Sequence, residues 1–388
     1  MLCGTNIICF SKDYSEDPTS NNHVLSRLAK HNKVLWVNSL ATRTPNFTSG
    51  RDLSKIWHKL GKSFEGPEHI ADNLWVYTPI VLPFPDSQAA IAINQQIVKL
   101  YISILRRKLG MEEFQLWTFL PTIAPYVGKL GESLTVYYCT DQYSQFESVD
   151  TSVVLQQEQD LCRRADLVFA TANSLVEDKK SLNPSTYLAS HGVEYDHFAQ
   201  AMDERTSIPA DIRDLPHPII GFFGVIADWC DQRLICATAE KHPEWSIVLV
   251  GKSTVETTSM EKFNNIHMVG RKPYCELSGY CKGFDIGIIP FVINELTYHV
   301  NPIKLREYIS GGLPVVSTPM PEVKPYESND CFISDGTHAN FIEHCEAALQ
   351  LDASREARIK RAEPMKQETW DAKVEQLGDI VARVANGR

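Results

Sequence analysis

Short apolar runs alternate with helix-like stretches along nearly all of this 388-residue chain, and the alternation breaks once and restarts. Before the break, strands are predicted at Thr5–Ser11, Lys33–Asn38, Leu74–Thr78, Phe114–Thr118, Leu134–Cys139, Leu167–Ala170 and Thr186–Ala189. Helices fit between them at Asn21–Lys30, Asp86–Leu109, Ile123–Leu130, Val153–Ala165 and Ser174–Leu182. In Asp86–Leu109, Ile93, Ile97, Leu100 and Ile104 recur at helical spacing. Residues 199–218 are polar, hold Pro209, Pro216 and Pro218, and lack a periodic apolar pattern. Strands then resume at Ile219–Val225, Ser246–Val250, His267–Val269, Ile286–Pro290, Pro314–Thr318 and Cys331–Ser334, with helices at Gln232–Lys241, Tyr274–Lys282, Pro302–Ser310 and Ala339–Leu349.

Two successive βα blocks predict an α/β chain of two Rossmann-like, doubly wound domains. The expected division is 1–198, a linker at 199–218, a second domain at 219–364, and a last helix within 365–388 that packs back on the first domain. Ligands of such sheets sit beyond the carboxyl ends of the strands, so a cleft shared by the two domains is the expected site.

Composition narrows the partners. A net charge of −10 argues against a general nucleic-acid binder. The ten cysteines form no Cys-x-x-Cys pair and lie mostly in apolar runs, as buried thiols of a reducing compartment do. Met1–Phe10 reads as a first strand rather than a signal peptide, and no apolar run approaches the roughly 20 residues that span a bilayer. A cytoplasmic protein is expected, with peripheral contact at the inner membrane face left open. Trp57 with Lys55, Lys59 and Lys62 is a candidate docking segment, and a solvated loop explains it as well.

The richest chemistry lies in the run from His299 to Pro319. Asn301 is placed to cap a helix, Pro302 suits its first turn, Gly311 and Gly312 end it, and Leu313–Ser317 continues as a buried strand. Lys304 and Glu307, three apart, share a face near the helix start. A cation and a carboxylate beside free backbone N–H groups suit a phosphate and a ribose diol; an ordinary surface ion pair is the plain alternative. Gly221-Phe-Phe-Gly224 ends a strand on glycine, where a ligand can approach the backbone and the next helix can offer its N-terminus to an anion. Gly251-Lys252-Ser253 is not a P-loop, because the upstream glycine of that motif would fall at Ser246, yet Lys252 still sits in a loop after a strand. Arg271 and Lys272 follow another strand and could neutralise a diphosphate. Asp141, just past a strand, is a general-base candidate or a turn residue. Asn22, His23 and His191 are candidate acceptor-groove residues.

Taken together, Asn301-Pro302-Ile-Lys304-Leu-Arg-Glu307-Tyr308, Gly312 with Pro314-Val-Val-Ser-Thr-Pro, Gly224-Val-Ile-Ala-Asp-Trp, Val269-Gly270-Arg271, Phe284-Asp285-Ile-Gly-Ile-Ile-Pro290 and His191-Gly-Val-Glu194 resemble a glycosyltransferase of the GT-B fold. The resemblance is to the large group 1 class (family four), and within it to bacterial polysaccharide-assembly enzymes of the teichuronic-acid type. It implies a nucleotide-sugar donor, most readily a UDP-sugar, on the second domain. A saccharide or lipid-linked acceptor would lie on the first. Gly224, Lys252, Arg271, His299, Asn301, Pro302, Lys304 and Glu307 would form the donor site, with Glu307 on the ribose and Lys304 and Arg271 near the diphosphate. Catalysis would be retaining, without metal or other cofactor. The class often carries a second glutamate eight positions before the ribose-binding one, and here that position is His299. If the enzyme inverts instead, Asp141 is the base candidate. A non-catalytic nucleotide- or sugar-binding protein and a nucleotide-sugar epimerase are the alternatives on this fold.

Overall fold

The computed structural model describes residues 2–16, 18–40, 65–84, 87–142 and 151–387. Asp86, Tyr143 and the group of Lys55, Trp57, Lys59 and Lys62 lie outside them. The chain divides into two compact units, Met1–Ser190 with Lys373–Arg388, and His191–Ala372.

In the first unit, strands β1 (Asn6–Phe10), β2 (Lys33–Val37), β3 (Glu68–Ala71), β4 (Leu74–Tyr77), β5 (Gln115–Thr118), β6 (Leu134–Cys139), β7 (Leu167–Ala170) and β8 (Thr186–Leu188) form one sheet. Their order is β3-β4-β2-β1-β5-β6-β7-β8, parallel throughout except for the β3–β4 edge. β1 pairs with β2 on one side and β5 on the other, so strand order reverses there. Helices α1 (Ser20–Ala29), α2 (Gln88–Lys108), α3 (Thr151–Arg164) and α4 (Asn173–Lys180) provide the crossovers. The expected helix at Ile123–Leu130 is instead a 3-10 segment, Pro121–Tyr126, in which Pro125 cannot donate the hydrogen bond an α-helix needs.

α2 has the helical spacing expected of it. Its inward face is Ala90, Asn94, Val98, Ile102 and Leu105, whereas Ile93, Leu100 and Ile104 are exposed. Both faces are apolar at helical spacing, so the pattern could not choose between them.

The second unit holds β9 (Ile219–Phe223), β10 (Ser246–Val250), β11 (Ile266–Gly270), β12 (Ile286–Ile289), β13 (Val315–Ser317) and β14 (Cys331–Ile333). They form an all-parallel sheet in the order β11-β10-β9-β12-β13-β14. This is the doubly wound order, with its reversal between β9 and β12. Its helices are α5 (Tyr195–Ala199), α6 (Gln232–Lys241), α7 (Leu277–Gly283), α8 (Glu295–Tyr298), α9 (Ile303–Ser310), α10 (His338–Ala348) and α11 (Arg355–Ala362). The last helix, α12 (Trp370–Asn386), starts in this unit and runs into the first, where Gly378 lies against Leu2.

Residues 199–218, expected as a linker, are part of the second unit. Ile212 is fully buried against Gly283 of α7, and the Asp211 carboxylate accepts from Tyr280 Oη at 2.8 Å and pairs with Lys272 at 2.7 Å. Proline content marks irregular backbone, and irregular backbone can still be packed.

Candidate active site

The site is assembled where the second sheet reverses its strand order. β11 ends on Gly270, while Gly224 and Gly251 follow β9 and β10. The N–H of Gly224 donates to Val250 O at 2.8 Å, and that of Gly251 to Gly270 O at 2.9 Å, so the three strand ends are tied together. A β-carbon on Gly251 would overlap the Gly224 carbonyl oxygen. One on Gly224 would overlap the Lys304 stem. The carboxyl edge of the sheet is therefore bare backbone, with Lys304 laid across it.

Helix α9 brings in the two charged groups. Its Tyr308 ring fills the space left by Gly287 of β12, where a β-carbon would stand 2.5 Å from the ring. Tyr308 Oη accepts from the Phe223 N–H at 3.0 Å. The helix ends in a Schellman motif, with Leu313 N–H donating to Tyr308 O at 3.0 Å, Gly312 N–H to Ile309 O at 2.9 Å, and Gly312 at φ 77°. At its start the structure differs from the sequence reading. Pro302, not Asn301, is the N-cap residue, and no side chain caps the helix. Asn301 Oδ1 instead accepts from Arg306 at 2.7 Å, because a buried guanidinium needs acceptors. In the first turn of α9 the Leu305 N–H donates to Pro302 O at 3.2 Å, and among the described residues those of Ile303 and Lys304 are left open to an anion.

Lys304 Nζ lies 5.9 Å from the Phe222 ring centroid and 5.8 Å from that of Phe291. Glu307 is 5% exposed. Among the described residues neither side chain makes a hydrogen bond or an ion pair, so the expected alternative of a surface pair does not hold. Burial pushes the Glu307 carboxyl up to about 7, against the opposing pull of the Lys304 charge. Burial lowers the Lys304 ammonium, against Glu307 and Cys230. Two under-solvated, opposite charges without hydrogen-bonding partners among the described residues suit a ligand that supplies both an anion and donors.

The other candidates take varied places. Exposed Lys252 and Arg271 follow β10 and β11 at the same edge. Lys272 is engaged by Asp211. His299 caps the end of α8, half-buried, edge-on to Tyr298. The helix after Gly224 begins only at Gln232, and Asp231 closes its N-terminus by accepting from Leu234 N–H at 2.9 Å, so it is not the anion site expected there. In the first unit, Asp141 follows β6, one strand removed from the reversal between β1 and β5, and burial raises its carboxyl while a Thr140 hydrogen bond opposes this. Asn22 and His23 lie in the first turn of α1, where Asn22 Oδ1 accepts from Thr19 N–H at 3.0 Å in a capping box. His191 opens the second unit, with its ring centroid 5.8 Å from that of Trp370. Sequence reasoning gave Phe222, Phe291 and Tyr308 no role in the site. The signal within reach was that three strands end on glycine, and adjacency of those ends needed the sheet order.

No family model matches the chain. It is 23% identical over 285 residues, 68% of its length, to the "Putative teichuronic acid biosynthesis glycosyltransferase TuaH" of Bacillus subtilis (strain 168), covering 70% of that protein. Among solved structures, sucrose-phosphate synthase from Thermosynechococcus elongatus superposes with a TM-score of 0.70 at 12% identity, over 99% of this chain and 100% of the other. Anabaena HepE in complex with UDP-glucose superposes with a TM-score of 0.65 at 13% identity, over 97% and 99%. The fold is GT-B. In this GT-B chain, Gly224 and Lys304 meet at the reversal point of the second sheet, the place a doubly wound fold reserves for a ligand, with Glu307 one helical turn further along α9.

Proposed function

We propose that the protein is a glycosyltransferase that moves a sugar from a nucleotide-sugar donor to a saccharide or lipid-linked acceptor in polysaccharide assembly. The observation that carries this is the unpartnered Lys304–Glu307 couple, set against the bare glycine edge of the second sheet. The carboxylate of Glu307 accepts from the two ribose hydroxyls. Lys304 and the open first turn of α9 face the diphosphate, with Arg271 and Lys252 as further cations.

During transfer the bond between the sugar C1 and the diphosphate oxygen breaks. A bond from C1 to the acceptor oxygen forms, and negative charge grows on the leaving diphosphate. Lys304 stabilises that charge where it develops, a task that otherwise falls to a metal ion. Transfer is retaining, with the acceptor proton passing to the leaving phosphate; were it inverting, Asp141 would be the base. A uridine donor is favoured because HepE, of the same fold, is seen with UDP-glucose. The teichuronic-acid assignment of the Bacillus relative favours a cell-surface polysaccharide acceptor.

Titration calorimetry with UDP, GDP and ADP on the wild type and Glu307→Ala tests the donor site. Selective UDP binding that is lost in the variant supports it. Binding indifferent to Glu307 removes the site. The anomeric configuration of the product, read by NMR, decides retention, and activity in the presence of a chelator decides metal dependence.

A further inference from the structure

The outward face of α2 has no role in the site described above. Ile93 is 49% exposed, Leu100 61% and Ile104 53%, and with half-buried Ile97 they form a stripe at spacings of four, three and four residues. Two more exposed apolar side chains, Leu82 and Phe84, precede the helix. The Asn94 side chain holds Leu82 there through both its backbone N–H, at 2.7 Å, and its carbonyl, at 2.9 Å. The opposite face of α2 is already spent on the core of the first unit through Val98, Ile102 and Leu105.

Charge separates the possible occupants of this stripe. α2 carries Lys99, Arg106, Arg107 and Lys108 and no acidic residue, in a chain whose net charge is −10. Lys99, Arg107 and Lys108 are exposed, and on the helical wheel Arg107 and Lys108 flank the stripe. A second copy of α2 would bring no carboxylates to these cations. Apolar side chains beside uncompensated cations match the interface of an anionic bilayer, where acyl chains take the first and headgroups the second. No described helix is long and apolar enough to cross a membrane, so the contact would be a lateral one.

We propose that the exposed face of α2 docks the protein on an anionic lipid surface through Ile93, Ile97, Leu100 and Ile104, with Arg107 and Lys108 on headgroups. This surface is separate from the donor-site reading, and its failure would leave that reading untouched.

Co-sedimentation of the full chain with vesicles of phosphatidylglycerol and phosphatidylcholine, against phosphatidylcholine alone, tests it. Binding is expected only with the anionic vesicles, and it should weaken with salt. Each of Arg107→Gln and Lys108→Gln should lower the partition coefficient about fivefold. Leu100→Ser with Ile104→Ser should abolish binding while UDP calorimetry and circular dichroism stay unchanged. Absence of binding to anionic vesicles, or binding indifferent to these variants, overturns the proposal. So does a dimer in sedimentation velocity that Leu100→Ser dissociates, because a second copy would then be the occupant.

Discussion

Glu307 and Lys304 are three residues apart on one helix, yet they do not pair. Each is shifted toward its neutral form by burial, and that makes the site sensitive to pH. The folded chain holds the Glu307 proton up to about 7, whereas an ordinary glutamate releases it near 4.5. The stability this group contributes is therefore complete in acid and is lost as pH rises through about 7. The swing is at most roughly 3 kcal/mol. Glu307→Gln should flatten that fall, as read by urea denaturation at a series of pH values. Donor binding has the opposite slope, because ribose hydroxyls need the ionised carboxylate as acceptor. UDP affinity should rise with pH up to about 7 with uptake of a proton by the buffer, seen as a buffer-dependent binding enthalpy that vanishes in Glu307→Gln. Lys304→Met should leave the fold intact and slow transfer about ten- to a hundredfold, the worth of one charge-assisted contact in the transition state. Equal rates for Met and Lys would remove Lys304 from the diphosphate.

At the scale of elements, α9 is located by a single aromatic residue. Tyr308 occupies the volume left by Gly287 and satisfies the buried Phe223 N–H, so it joins the helix to both strands that flank the reversal point. Tyr308→Phe keeps the volume and strands one buried donor, at a cost of about 1–3 kcal/mol in denaturant unfolding. A Tyr308→Phe protein as stable as the wild type would mean that water reaches Phe223. Gly251→Ala meets backbone rather than a flexible side chain, so β9 and β10 must part at the site edge. We expect a stability loss of about 2 kcal/mol or more and loss of UDP binding in the same calorimetric titration.

At the scale of the whole molecule, the second unit lies between two parts of the first along the chain, because α12 begins in one and ends in the other. Val374, Leu377 and Val381 of that helix are buried, and Gly378 lies against Leu2 at the other end of the sequence. Truncation after residue 372 should lower the thermal transition of the first unit, while UDP still raises that of the second. Calorimetric scans of both proteins with and without UDP read this directly. If truncation shifts only the UDP-sensitive transition, the helix belongs energetically to the second unit.

The order of the parallel strands was legible from residue pattern alone, because they appear as short apolar runs, whereas the antiparallel edge strand β3 and helices α5, α8 and α11 were not. The segment from His299 to Pro319 also showed its helix, its glycine stop and the shared face of Lys304 and Glu307, since each depends on neighbours within a turn. Tertiary packing decided what lay beyond that reach. It chose which apolar face of α2 is buried, and it drew residues 199–218 into a domain through Asp211 and Ile212. It took Asn301 from the helix start to satisfy Arg306, and it joined Gly224, Gly251 and Gly270 into one bare edge. Each of these outcomes turns on a partner distant in sequence, and local spacing carries no information about which distant group will claim a side chain or fill a gap.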